Sequence, residues 1–315
     1  MPEPLPLPGA LPPVVPTQRP PVDIPALNQF LVNVGSYNEE WIFGVGPDKS
    51  LYHYTDLTGL HGILSAADLW LTHSRYSNDE QELTHGYDLA RQSIDAARMT
   101  PQMPVAEWVA YLDRLSALLA QPSPQGVYIC CFCKRDNLLS QWRGYAGNGN
   151  GVSIRIQPSR FDVVTGPDSP HGGLMRLWKT FYDRATQMSI LDQAIRGPFS
   201  WPGDIEIRAA RAADAIEFFI PTFKNADFEE EKEFRLIFSP PEHCPILPAF
   251  RVRGAMLVPY YSLKELSGGT PLPITGVTVG PSTNRKMNVE SVRMMLAKLK
   301  YTGVTVDASP TPYRA

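Results

Sequence analysis

Apolar positions along the chain recur with a period of two or of about 3.6 residues, the periods of strands and helices. Leu51–Thr55 (LYHYT) is rich in aromatic and β-branched residues and predicts a strand. Behind it, helical spacing over 57–66 predicts a helix that Asp56 caps. The run GVYICCFC at 126–133 is typical of a central strand buried on both faces. GVSIRI at 151–156 alternates and predicts the neighbouring strand.

The same patterns continue along the rest of the chain. Helices are predicted over 81–98, 107–121, 205–220 and 289–300. Strands are predicted over 68–73, 232–238, 255–261, 274–280 and 304–307. The stretch 158–199 has no sustained period and yields no prediction. Because long helical segments interrupt the strands, we expect a single α+β domain over 51–315 with a mixed sheet, ending in a β-α-β unit.

Proline is the unusual component of the composition, with ten of 31 prolines in the first 25 residues. Proline lacks a backbone donor and favours extended geometry, so residues 1–25 predict a disordered, polyproline-like arm. The arm could dock into an aromatic groove of a partner, although a solvated tail is the commoner outcome of such composition. Residues 26–50 form a lead-in to the domain.

Charge and cysteine content narrow the function classes. With 29 basic and 32 acidic side chains the net charge is −3, which does not indicate a nucleic-acid partner. No run of 18 apolar residues predicts a membrane span, and no signal-peptide pattern opens the chain, so we expect a cytoplasmic protein. Cys130, Cys131 and Cys133 lie on one predicted strand, where neighbours point to opposite faces, so we expect core residues and no metal site.

Two groups of polar residues lie next to predicted strands and are candidates for a functional site. An acidic run leads into the predicted strand 232–238, and on an extended chain Glu231 and Glu233 would share one face. Arg235 is the next residue on that face and could orient one of the two carboxylates. A solvated charge run is the ordinary interpretation. The second group follows the DLWLTH strand and predicts either a ligand site or a capped helix start. Its members are Arg75, Asn78, Asp79 and Glu82.

Several strings together resemble a large bacterial family, the domain of unknown function 2971. They are LYHYTDLTGLHGIL, LWLTHSRYSNDEQE, CFC with DNLLSQWRGYAGNGNGVSI, FEEEKEFRLIF, VTVGPS and ASPTPYR, in order from Leu51 to Arg314. The family has no assigned function, so this resemblance implies a shared fold and little chemistry.

A more distant resemblance implies a specific chemistry. His53-Tyr54-Thr55, followed by a helix ending in Gly-Ile-Leu, is similar to the first motif of ADP-ribosyltransferases with a His-Tyr-Glu triad. In those enzymes the histidine binds the NAD ribose, an aromatic ring stacks on nicotinamide, and a glutamate opening a strand holds the ribose 2′-hydroxyl. The resemblance also implies a split sheet around a cleft.

Carried onto this chain, the resemblance implies NAD as a substrate and no metal. His53, with Tyr54 and Thr55 beside it, would bind NAD, helped by Arg75 and Asn78. The stacking ring would be Trp142 or Tyr145, and both remain open. The catalytic carboxylate would be Glu233, with Glu231 as its competitor. Supporting residues would be Glu231, Arg235, Asp79 and Glu82.

We therefore expect an NAD-using, ADP-ribosyltransferase-like protein that acts on a macromolecular acceptor, in toxin or phage-defence biology. The alternative is a ligand-binding or regulatory module of the same fold without transfer chemistry. One geometric question separates them. If His53 and Glu233 lie on adjacent central strands and face one cleft, the enzyme hypothesis gains support, whereas it fails if they face opposite sides of the sheet.

Overall fold

The structure, a computed structural model, describes residues 22–33, 50–76, 82–121, 125–157 and 171–312. Most of the Pro-rich arm and most of the lead-in lie outside these ranges, so the predictions made for them stay predictions. Helix α1 begins at Ile24, next to the predicted boundary at residue 25. Asp23 accepts a hydrogen bond from the Ala26 amide at 3.0 Å, and proline is tolerated in a first helical turn.

The described elements follow the sequence predictions closely at the start of the domain and less closely later. The strands are β1 (Leu51–Thr55), β2 (Trp70–His73), β3 (Tyr128–Cys133), β4 (Val152–Ile156), β5 (Leu174–Lys179), β6 (Glu233–Ser239), β7 (Ala249–Arg253), β8 (Met256–Ser262), β9 (Ile274–Val279) and β10 (Thr305–Ala308). The helices are α1 (Ile24–Asn33), α2 (Leu57–Ala66), α3 (Glu82–Met99), α4 (Val105–Leu119), α5 (Leu139–Gly144), α6 (Arg184–Phe199), α7 (Ile205–Phe219), α8 (Leu263–Leu266) and α9 (Arg285–Lys298).

The ten described strands form one mixed sheet, which confirms the α+β fold class. The strand order is β10-β9-β4-β1-β3-β2-β8-β7, with β6 also pairing along β3 and β5 beyond it. β9 and β10 are connected by α9 and pair in parallel, as the predicted β-α-β unit requires. The prediction that β4 is the neighbour of β3 is wrong, because β1 lies between them. Alternation shows that a strand is half-buried but does not select its partner.

A gap opens in the sheet between β1 and β3. β1 pairs with β4 through five residue pairs but with β3 only through Tyr52 and Cys133. Beside that single pair, Nδ1 of His53 lies 2.9 Å from the carbonyl oxygen of Cys131. A side chain therefore occupies a place where a continuous ladder would hold backbone hydrogen bonds.

Two apolar clusters pack against the sheet. One joins α1, α3, α4, α6 and α7 with Trp178 of β5, and the other joins the central strands with α2 and α9. Helix α6 was not predicted, because its buried positions include a polar residue that disrupts the period. That residue is Gln187, whose amide donates to the carbonyls of Phe181 and Lys224 at 2.7 and 2.9 Å. No helix among the described residues is long and apolar enough to cross a membrane.

We expect Gly151→Ala to destabilise the fold by about 1–3 kcal/mol, the usual cost of overpacking. Gly151 precedes β4, and a Cβ there would lie 2.2 Å from the backbone oxygen of Thr55 and 2.9 Å from that of Ala146. Gly144→Ala is the control, because a Cβ at this helical position meets no atom within 4 Å. Urea denaturation should separate the two variants, and equal midpoints would contradict the close approach.

Candidate functional site

A pocket lies at the gap between β1 and β3, beside the start of β6. Its cavity volume is about 60 Å³, well below the roughly 300–1,000 Å³ of a typical small-molecule site, so it can hold only a small part of a ligand. The pocket is lined by residues distant in sequence, which are His53 from β1, Cys131 from β3, Tyr145 after α5, Glu231 from the 3-10 helix 226–231, and Glu233, the first residue of β6. The resemblance-based triad of His53, Tyr145 and Glu233 thus borders one pocket.

His53 is oriented by the backbone of β3. Because a carbonyl only accepts, Nδ1 donates to the Cys131 oxygen at 2.9 Å, which leaves Nε2 as the acceptor of the neutral ring. Its ring also packs edge-to-face on Phe132, with centroids 5.8 Å apart. Burial lowers the pKa of His53, against a smaller opposing effect of the Cys131 hydrogen bond. The imidazole is therefore neutral at pH 7.

His53 and Glu233 leave opposite faces of the sheet and yet border the same pocket. Tyr52 pairs with Cys133, and Cys133 pairs with Glu233, so these three share one face. His53 follows Tyr52 and lies on the other face, in contact with Phe132. By the criterion posed from the sequence, this placement on opposite faces goes against a catalytic pair of His53 and Glu233, although both residues line the pocket.

Glu233 is held in a buried ion-pair network. Its Oε1 accepts from Nε of Arg235 at 3.1 Å, and its Oε2 accepts from Nη2 of Arg235 at 3.0 Å and from Nζ of Lys224 at 3.2 Å. The Cys131 thiol adds another hydrogen bond. Arg235 is itself fully buried and donates to the Pro221 carbonyl at 2.8 Å.

These contacts keep the Glu233 carboxyl ionised and use the hydrogen-bonding positions of both its oxygens. Burial alone would raise the pKa of its carboxyl, but Arg235 and Lys224 hold the pKa well below its usual range. A carboxylate offers about four lone-pair positions, and the four donors to Glu233 fill them. A ligand hydroxyl could bind Glu233 only by displacing one of these donors.

Glu231 has more room for a ligand. Its Oε2 accepts from Nζ of Lys224 at 2.6 Å, and its Oε1 accepts from the Tyr145 hydroxyl at 3.1 Å. Two of its roughly four lone-pair positions are used in this way. Of the two carboxylates proposed from the sequence, the geometry favours Glu231 for contact with a ligand.

Trp142 and Tyr145, the two candidates for the ring that stacks on nicotinamide, lie in different surroundings. Trp142 is fully buried and packs edge-to-face on Tyr54, with ring centroids 4.9 Å apart. It therefore supports the pocket from the core and is not positioned to stack on a ligand. Tyr145 is 40% exposed and lines the pocket, which leaves it as the accessible ring.

Tyr54 and Thr55, predicted beside His53 to bind NAD, both have structural contacts, and of the two only Tyr54 lines the pocket. The hydroxyl of Tyr54 donates to the Arg135 carbonyl at 2.9 Å and accepts from the Leu138 amide at 3.0 Å. It thereby fixes the loop between β3 and α5. Thr55 ends β1 and lies against the first turn of α2, where a Cβ on Gly59 would meet its hydroxyl.

The second polar group does not contribute a described side chain to the pocket. Arg75 follows β2, which pairs through His73 with Tyr128 at the beginning of β3. Glu233 pairs with Cys133 at the opposite end of that strand, about 16 Å away. Arg75 is therefore not among the residues that line this pocket, and its contact with the same ligand stays a prediction. Asn78, Asp79 and the side chain of Glu82 lie outside the described part of the chain.

Lys224 and Tyr182 are site residues that the sequence did not reveal. The Lys224 ammonium is buried between Glu231 and Glu233, and the Tyr182 hydroxyl accepts the Glu233 amide hydrogen at 2.9 Å. The one available signal was a lysine placed between an apolar helix end and an acidic run. Tyr182 had no distinguishing signal, because its partner is 51 residues away.

Comparison with known proteins gives one match. The sequence model of a family described as protein of unknown function (DUF2971) matches residues 141–236. The match supports that family. It covers Tyr145, Lys224 and both carboxylates, whereas His53 lies outside the matched range. No curated protein and no solved structure is significantly similar to the chain.

Proposed function

We propose that the pocket binds the nicotinamide-ribose part of NAD and that the protein transfers ADP-ribose to a macromolecular acceptor. The observation that carries this proposal is the meeting of His53, Tyr145 and a pair of carboxylates in one pocket. The gap between β1 and β3 supports the finer proposal of an ADP-ribosyltransferase-like split sheet. A role in toxin or phage-defence biology belongs to the same proposal, since it rests on the proteins that share the triad.

The pocket's residues suit the chemistry of this reaction. The bond between nicotinamide and C1 of the ribose breaks, its electron pair leaves with neutral nicotinamide, and positive charge develops on the sugar. The Glu231 carboxylate would stabilise that charge, while the Tyr145 ring packs on the leaving group. A nucleophilic atom of the acceptor then bonds to C1 and passes its proton to water.

His53 would position the sugar. Its Nε2 is an acceptor at pH 7 and can receive a hydrogen bond from a ribose hydroxyl, because Nδ1 is committed to Cys131. The positive charges of Lys224 and Arg235 balance the two carboxylates, Glu231 and Glu233, so this network has no net charge. The approach of a dinucleotide therefore meets no uncompensated negative charge in this network.

We expect calorimetric titration with NAD to give a dissociation constant between about 1 µM and 1 mM. His53→Ala should lose this binding, and so should His53→Asn, whose amide can replace the Nδ1 donor but not Nε2. His61→Ala, on the exposed surface of α2, is the control and should bind as the wild type does. Absence of NAD binding to folded wild-type protein would refute the proposal.

The second candidate is a binding module without transfer chemistry. It is favoured by the occupied state of Glu233, since four donors already satisfy that carboxylate. Under this alternative, NAD or a related nucleotide binds with dependence on His53, but no nicotinamide is released during prolonged incubation. Chromatographic measurement of free nicotinamide separates the two candidates.

A further inference from the structure

Gln141 of α5 brings a polar side chain to the pocket. The residue is only 7% exposed. No other residue in the described part of the chain hydrogen-bonds to its side-chain amide, and neither the amide oxygen nor the amide nitrogen is fully enclosed. Both atoms therefore reach accessible space, and the accessible space that Gln141 borders is the pocket.

A buried amide with unused hydrogen-bonding groups indicates a ligand. Buried polar side chains nearly always have a hydrogen-bond partner, because a buried group without one destabilises the fold. Gln187, which is also buried, shows the ordinary case, since its amide donates to two carbonyl groups at 2.7 and 2.9 Å. The Gln141 amide keeps its donors and its acceptor available to a molecule that enters the pocket.

The fold holds this amide beside the accessible aromatic ring of the pocket. The backbone amide of Tyr145 donates to the Gln141 carbonyl oxygen at 3.0 Å, so the two residues are one helical turn apart, and both line the pocket. Trp142, the residue after Gln141, is fully buried against Tyr54 and anchors this segment in the core. An amide and an aromatic ring thus border the same small space from one short segment.

On the basis of the proposed function, we propose that Gln141 recognises the carboxamide of nicotinamide and makes the site specific for an amide over a carboxylate at that position. A carboxamide and the glutamine side chain each carry an NH₂ donor and an oxygen acceptor, so they can form two hydrogen bonds side by side. Tyr145 packs on the attached ring. A carboxylate only accepts, so it loses one of these bonds and brings an oxygen against Oε1 of Gln141.

The test compares NAD with nicotinic acid adenine dinucleotide, which carries a carboxylate in place of the carboxamide and is otherwise the same. In calorimetric titration of the full chain, NAD should bind at least about tenfold more tightly, since a site that hydrogen-bonds a substrate group rejects an analogue without it. Gln141→Leu keeps the size of the side chain but removes both polar groups. It should weaken NAD binding by at least about tenfold and bring the two dissociation constants within about threefold of each other.

Two further variants complete the test. Gln141→Glu should increase the preference for NAD by at least about threefold, because the acid dinucleotide then places one carboxylate against another, whereas the NAD carboxamide can still donate. Gln193→Leu is the matched control, because it makes the same change at an exposed glutamine of α6. It should keep the affinities of the wild type for both dinucleotides.

Several results would overturn this inference while the proposed function stands. They are equal binding of the two dinucleotides by the wild type, and a preference that neither Gln141→Leu nor Gln141→Glu changes. Equal weakening of both dinucleotides by Gln141→Leu would also overturn it, because Gln141 would then bind a group that both share, such as a ribose hydroxyl.

Failure of the proposed function gives a different result, which is the absence of NAD binding to the folded wild type. Free nicotinamide and nicotinic acid then test the carboxamide site by itself. Binding of nicotinamide that Gln141→Leu abolishes would support the inference. Binding of neither compound, or of nicotinic acid alone, would overturn it.

Discussion

Glu231→Gln is expected to lower the rate of nicotinamide release from NAD by about 10²- to 10³-fold, the usual effect of removing one electrostatic stabiliser of a transition state. The amide keeps an oxygen that can accept from Tyr145, so the pocket should stay intact. It removes the negative charge that would face the developing positive charge on the ribose. Initial rates at saturating NAD measure the effect, and NAD affinity should change little.

The matched variants identify which carboxylate acts. Glu229→Gln is the control, because Glu229 is exposed and pairs only at the surface with Lys232. Glu233→Gln tests the residue that the resemblance implies, and loss of turnover in a folded protein would return the catalytic role to it. Full activity of both Glu231→Gln and Glu233→Gln would refute the transfer mechanism.

Arg235→Leu is expected to reduce the free energy of unfolding by about 3–5 kcal/mol, the usual cost of removing one partner from a buried ion pair. Arg235 is fully buried and donates two hydrogen bonds to Glu233. Without the guanidinium, Glu233 retains Lys224, which it shares with Glu231. Urea denaturation followed by circular dichroism measures the loss.

A double variant tests the cause. In R235L/E233L both charges are absent, and an apolar pair of similar volume should recover much of the loss. Arg91→Leu is the control, since Arg91 and Asp88 form an exposed pair whose removal should change stability by less than about 1 kcal/mol. If the double variant is no more stable than Arg235→Leu, the unpaired charge is not the cause.

The ion pair between Glu233 and Arg235 also makes the free energy of unfolding depend on pH in the acid range. Because the folded pKa of Glu233 is depressed below the unfolded value of 4.5, its stabilisation is complete above that value. It is lost as the pH falls from there through the folded pKa. Arg235→Leu raises the folded pKa, so this contribution is lost at a higher pH than in the wild type. A series of denaturation curves between pH 6 and acid measures the shift.

The local elements were predictable because their causes lie within a few residues. Asp56 caps α2 by accepting a hydrogen bond from the Gly59 amide at 2.6 Å, three residues along the chain. The strand Leu51–Thr55 and the helix Leu57–Ala66 have the bounds that the apolar pattern predicts. Alternation also indicated that Glu233 and Arg235 share a face, and Arg235 does bind Glu233. The prediction that Glu231 continues this face is wrong, because Glu231 ends a 3-10 helix and the backbone of Lys232 is left-handed before β6 begins. Such patterns need no knowledge of the partner strand.

The chain by itself determined the class of fold, most strand and helix positions, and the residue types available for chemistry. Only the tertiary structure decided that Trp142 is core while Tyr145 lines the pocket, that Arg75 lies elsewhere, and that Lys224 joins the two carboxylates. His53 meets Cys131 across 78 residues, and Tyr145 meets Glu231 across 86. Periodicity and capping depend on neighbours within one or two turns, whereas these contacts depend on strand order and packing, which no local pattern encodes.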